Sequence, residues 1–145
     1  MSKFDFHKNY SSKPPPQLLP LLQKAKTAYL AWYEYYQIIP KTHRHSLGVR
    51  IDILFVEIIK ALATASFLVR EEKIPYVRLA IRKVDTLKVF LMILWETKSL
   101  DDAKYIALSA KIDEIGKMLG GWYGQLQKSV QQAQDKQNSP NKGEK

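Results

Sequence analysis

The sequence predicts an all-α protein, folded as an antiparallel up-down four-helix bundle. Three observations predict it. Apolar residues recur three and four positions apart through most of residues 17–130. The pattern is interrupted at Pro40, at Pro75 and at the Ser99–Asp102 turn, which divides it into four long stretches. The connections between them are short, and short connections favour antiparallel neighbours. At 145 residues the chain is long enough to bury one core and too short for two ordinary domains.

The first helix is expected over about residues 17–39, with Leu18, Leu22, Ala25, Tyr29, Trp32 and Tyr36 on one stripe. Pro20 suits its opening turn, where no amide partner is lost. The second begins at Thr42 or Ser46 and runs to Lys73, carrying Leu47, Ile51, Leu54, Ile58, Leu62, Ala65 and Leu68 or Val69. The third spans about residues 75–98, with Pro75 in its first turn and Val77, Ala80, Val84, Leu87, Leu91 and Leu94 on its inner face. Ser99 is a candidate cap for the fourth, with Asp102 three residues on and favoured by the helix dipole. That helix continues through Tyr105, Leu108, Ile112, Ile115, Leu119, Trp122 and Leu126.

Residues 1–16, ending in Pro14-Pro15-Pro16, and residues 131–145, rich in Gln, Asn and Lys, are too polar to order themselves and read as flexible tails. The bundle itself is assigned to residues 17–130. No signal-peptide core is present, and no run approaches the ~20 apolar residues of a membrane helix, so a cytoplasmic protein without a membrane partner is expected. There is no cysteine, which excludes disulfides and thiolate zinc sites. Gly-rich phosphate loops are missing, and no cofactor is expected.

Two features exceed the needs of one bundle. Val89-Phe-Leu-Met-Ile-Leu-Trp95 is apolar on every side of its helix, and with Val49, Ile53 and Val56 it suggests a subunit interface that includes Val89, Met92 and Ile93. A wide core with some exposed apolar side chains is the alternative. Gly116, Gly120, Gly121 and Gly124 lie within nine residues of one helix, where each costs about 1 kcal/mol relative to alanine. Close approach of a neighbouring helix beside Trp122 explains them, and so does a kink or an early helix end.

Little points to catalysis. His7 lies in a tail, and His43 and His45 are two apart, a spacing that does not place a metal pair on one helix face. Asp101-Asp102 and Asp113-Glu114 read as caps or solvated faces, so neither an enzyme nor a metal site is expected. Positive charge is the stronger lead: 23 Lys and Arg against 14 Asp and Glu give a net charge of +9. Arg78 and Arg82 are four apart on one face with Lys83 and Lys88 beside it, and residues 76–100 hold five basic residues against two acidic. Lys41, Arg44 and Arg50 add a second basic group that contains no acid. Both groups sit near the starts of helices and are expected at one end of the bundle. Such patches either bind phosphates with steep salt dependence or form an ordinary solvated face, eased by Asp85 three residues after Arg82. The cluster Tyr29, Trp32, Tyr33, Tyr35 and Tyr36 reads as packing rather than base stacking, since most of it follows the apolar stripe.

Pro40 before a basic helix start, Leu47-Gly48 with Arg50, the Arg78–Leu87 stretch, and Gly116 with Leu119-Gly120-Gly121-Trp122 resemble one bacterial four-helix-bundle family. It comprises the accessory variability protein, Avd, of diversity-generating retroelements and proteins encoded in ribosomal RNA intervening sequences. The resemblance spans about residues 18–126. It implies a pentameric, barrel-like assembly with a basic surface, and a non-catalytic accessory role in which reverse transcriptase and RNA or DNA are the partners. Arg44, Arg50, Arg78 and Arg82 match basic positions of the pattern, and Gly120, Gly121 and Trp122 match its packing positions. The intervening-sequence branch implies instead a structural oligomer that binds only protein; the net charge favours the Avd branch.

Overall fold

The computed structural model describes residues 18–139, and all regular structure among them is helical. The tail expected over residues 1–16, with His7, lies outside the described residues, as do residues 140–145 and the side chain of Leu18. The described residues form five helices: α1 Leu18–Tyr36, α2 Lys41–Arg44, α3 Leu47–Ser66, α4 Arg70–Glu96 and α5 Asp102–Asn138. α1 packs on α3 and α5, α4 packs on α3 and α5, and one hydrophobic core joins the four long helices.

α1 carries Pro20 in its first turn, as expected. Its deepest line is Leu21, Ala25, Ala28 and Trp32; the expected stripe is rotated slightly, so Leu22, Tyr29 and Tyr36 are half-buried beside it. Two small residues, Ala25 and Ala28, let neighbouring backbones close in. Phe55 of α3 receives the aromatics of α1: the Trp32 ring stacks on it at 6.2 Å and 22°, and Tyr29 meets it edge-on at 5.9 Å and 68°. Packing therefore accounts for most of the aromatic cluster, while Tyr33 stays exposed.

Beyond Pro40 the expected single helix is two elements. α2 is one turn, and the chain breaks at Ser46 (φ −119°, ψ −96°) before α3 begins. Gly48 makes the corner possible: a Cβ there would lie 3.0 Å from both the His43 carbonyl oxygen and the Tyr36 ring. Along α3, Ile51, Ile58, Leu62 and Ala65 are buried as expected and Leu54 is half-buried, while Phe55 and Ala61 join the core from outside the expected stripe.

The next break falls at residues 67–69, not at Pro75. α4 starts at Arg70, where Glu71 and Glu72 suit the positive end of its dipole, and Pro75 is inside the helix. Its ring nitrogen cannot donate to the Glu71 carbonyl, a loss of one ladder bond. The turn is closed instead by Lys73, whose buried Nζ donates to the Ala65 carbonyl at 2.7 Å and so satisfies an end carbonyl of α3. Val77, Ala80, Val84, Leu87, Leu91 and Leu94 are all buried, as the spacing requires.

α4 ends in a Schellman turn. Ser99 N–H donates to the Leu94 carbonyl and Lys98 N–H to the Trp95 carbonyl, with Lys98 at φ 63°. Asp101, rather than Ser99, caps α5: its Oδ1 accepts from the Lys104 N–H at 2.8 Å. The Ser99 hydroxyl is engaged elsewhere, with His43 Nδ1 of α2. Leu108, Ile112, Ile115, Leu119, Trp122 and Leu126 are buried as expected. α5 then continues through residues 131–138, read from composition as tail, and these residues remain helical but fully exposed.

Candidate functional site

The basic residues singled out by the sequence separate into three kinds. Arg44 is structural. Its Nη2 donates to the carbonyls of Gln37 and Ile39, 3.0 Å each, closing the end of α1, while its own carbonyl accepts from Tyr36 Oη. Its Nε is buried and has no partner among the described groups, which places the guanidinium inside the corner rather than on the surface.

Lys88 and Lys83 are half-buried. Lys88 Nζ lies 3.5 Å from the Asp113 carboxylate, and both residues border a groove of about 330 Å³ between α4 and α5, floored by Leu91 and Ile112 and edged by Val89 and Met92. Lys41, Arg50, Arg78 and Arg82 are exposed.

Of these, Arg78 is the most constrained. Its Nε and Nη2 donate to Tyr123 Oη at 3.2 and 3.0 Å, and its guanidinium carbon lies 5.7 Å from the centre of that ring. Gln127 also donates to Tyr123 Oη, at 2.9 Å. Arg82, one turn along, has no ion pair among the described residues; Asp85 does not reach it. Pro75, Arg78, Leu79 and Arg82 occupy positions i, i+3, i+4 and i+7 of one helix face, and with Tyr76 they line a depression of about 290 Å³ that contains no carboxylate.

The two basic groups do not share one end. The α2 segment meets the α4–α5 turn through His43 and Ser99. Arg78 is near the other end of α4, some 18 residues and roughly 27 Å before its last residue. The start of α4 is tied instead to the last turn of α3, through Lys73 and the Ala65 carbonyl.

The expected interface residues are exposed on the single chain: Val49, Ile53 and Val56 on α3, and Val89, Met92 and Ile93 on α4, between 37% and 52%. Trp122 is core. Among the glycines, a Cβ at Gly116 would meet α4, with the Lys88 ammonium at 3.2 Å and Val84 Cγ1 at 3.7 Å, while Gly120, Gly121 and Gly124 face open space. Among the described residues no helix approaches the last three, and α5 continues past them to Asn138.

Electrostatics mark three groups. Burial lowers the Lys73 pKa from its ordinary value, and the Lys104 side chain and backbone N–H hold the Asp101 carboxyl below its own. Tyr29 is raised, first by burial and then by Asp52. Among the described residues no group of three or more His, Asp or Glu is placed to hold a metal ion, and no helix is long and apolar enough to cross a membrane.

No family model, curated protein or solved structure matches this chain. Tyr123 and Tyr76 are the site residues that sequence reasoning missed. Tyr123 is 45 residues from Arg78, beyond the reach of any local spacing.

Proposed function

We propose that the protein is a non-catalytic accessory factor that binds nucleic acid through the exposed face of α4, with its four long helices arranged as an antiparallel up-down bundle. The observation that carries the reading is the Arg78–Arg82 face: two guanidinium groups one turn apart, one oriented by Tyr123 and the other without a carboxylate partner, on a chain of net charge +9. The pairing of Trp95 with Tyr105, Lys88 with Asp113 and Arg78 with Tyr123, in which numbers rise along α4 as they fall along α5, supports the antiparallel arrangement.

By the Avd resemblance, the partners are a reverse transcriptase and its RNA template or cDNA, and the assembly is a ring of five in the cytoplasm. The exposed apolar side chains of α3 and α4 support self-association, since single chains rarely leave such stripes in water. They also favour the second reading, a structural oligomer that binds only protein and whose charge is incidental.

Charge reversal separates the two. Arg82→Glu should leave helicity and the thermal midpoint nearly unchanged, because the side chain is exposed and unpaired. In the same variant, oligonucleotide affinity should fall at least tenfold at low salt and the salt dependence should flatten. Equal binding by wild type and variant would remove α4 from the interface, and absence of salt-sensitive binding in the wild type would leave the protein-only reading.

A further inference from the structure

The depression on α4 is only partly cationic, and its apolar half has no role in binding phosphate alone. Pro75, Leu79 and Tyr76 supply its apolar lining; Leu79 and Tyr76 are 39% and 36% exposed. Arg78 and Arg82, one turn apart on the same helix, supply the rest of the lining. A duplex presents sugars and phosphates outward and keeps the faces of its bases stacked inside. It would engage the two guanidinium groups and leave Leu79 and Tyr76 in water. An unpaired nucleotide offers both a phosphate and a planar apolar face, and exposed aromatic side chains beside basic ones are the usual means of holding it.

Resting on the nucleic-acid reading above, we propose that this depression is a single-strand subsite, in which Arg82, beside the Tyr123-anchored Arg78, takes a phosphate while an unpaired base lies on Tyr76 and Leu79. The orientation of Arg78 is supplied by the protein. Its Nε and one Nη are engaged with Tyr123, so less side-chain freedom is lost when the remaining N–H groups meet an anion. An acidic peptide would satisfy the arginines too, but its carboxylates would not use Leu79 and Tyr76.

The test is fluorescence anisotropy of the full chain with a labelled 20-nucleotide single strand and with the duplex of the same sequence, over a salt series. Tyr76→Ala should weaken single-strand binding about tenfold and leave duplex binding unchanged. Arg82→Ala should weaken both and flatten both salt slopes. Tyr76→Phe should restore the single-strand affinity, which separates stacking from a folding defect, and circular dichroism should show every variant folded. If single strand and duplex bind alike and Tyr76→Ala changes neither, the subsite is overturned and the basic-surface reading stands. If no oligonucleotide binds at low salt, both fail. If poly-glutamate competes as well as the single strand and Tyr76→Ala is silent, the depression serves acidic peptide and the proposal is likewise overturned.

Discussion

Lys98 occupies the left-handed region at φ 63°, where a Cβ is unfavourable, because the Schellman turn after α4 needs that conformation. Glycine pays no such penalty. Lys98→Gly is therefore expected to raise stability by up to about 1 kcal/mol, read as a higher urea midpoint at unchanged slope. Gly48 is the opposite case. Its missing Cβ is space already filled by the His43 carbonyl and the Tyr36 ring, both 3.0 Å from that position. Gly48→Ala should cost about 1–3 kcal/mol, since the carbonyl belongs to a corner that Arg44 also holds. Neither position was marked by periodicity. Leu47-Gly48 was visible as a motif, but the reason for the glycine lies in the tertiary fold.

At the scale of elements, the start of α5 depends on one carboxylate. Asp101 has its pKa held below the ordinary value of 3.8 by Lys104. A carboxyl lowered by folding contributes fully above the unfolded value and loses that contribution as pH falls through the folded one. Asp101→Asn keeps an acceptor for the Lys104 N–H and removes the charge, so the loss of stability below about pH 4 should be shallower than in the wild type. An identical acid profile would assign that loss to other carboxylates. Spacing made the inner face of α4 legible in full, from Val77 to Leu94, because seven-residue regularity survives packing on two neighbours. The helix ends were less legible. Pro75 has the look of a start but is carried inside α4, because Lys73 caps α3 from within the next helix, a contact that no local pattern encodes. Ser99 lost the cap to Asp101 because its hydroxyl pairs with His43, 56 residues away. Of the candidate site, the Arg78 and Arg82 spacing was readable; the Tyr123 anchor and the structural use of Arg44 were not.

For the whole molecule, the apolar stripes and the glycine face of α5 raise the same question of what covers them. Gly121 is exposed, with nothing within 4 Å of a Cβ built there. In a lone chain, Gly121→Ala should stabilise α5 by about 1 kcal/mol. If a second copy packs on that face, as the glycine spacing suggests, the same change should also shift the light-scattering mass toward the single chain. A stabilised variant of unchanged mass would remove the glycines from the interface. α5 is also one hydrogen-bonded ladder of 37 residues, roughly 55 Å long, whereas α3 has 20 residues and spans about 30 Å. Its middle is clamped by the core and its last eight residues are exposed. Amide exchange along this single helix should therefore run from the slowest protons in the molecule, near Leu108 to Leu119, to nearly free ones at residues 131–138. That gradient makes α5 a built-in ruler: a partner that seats on the overhang would slow its last protons without moving those of the core.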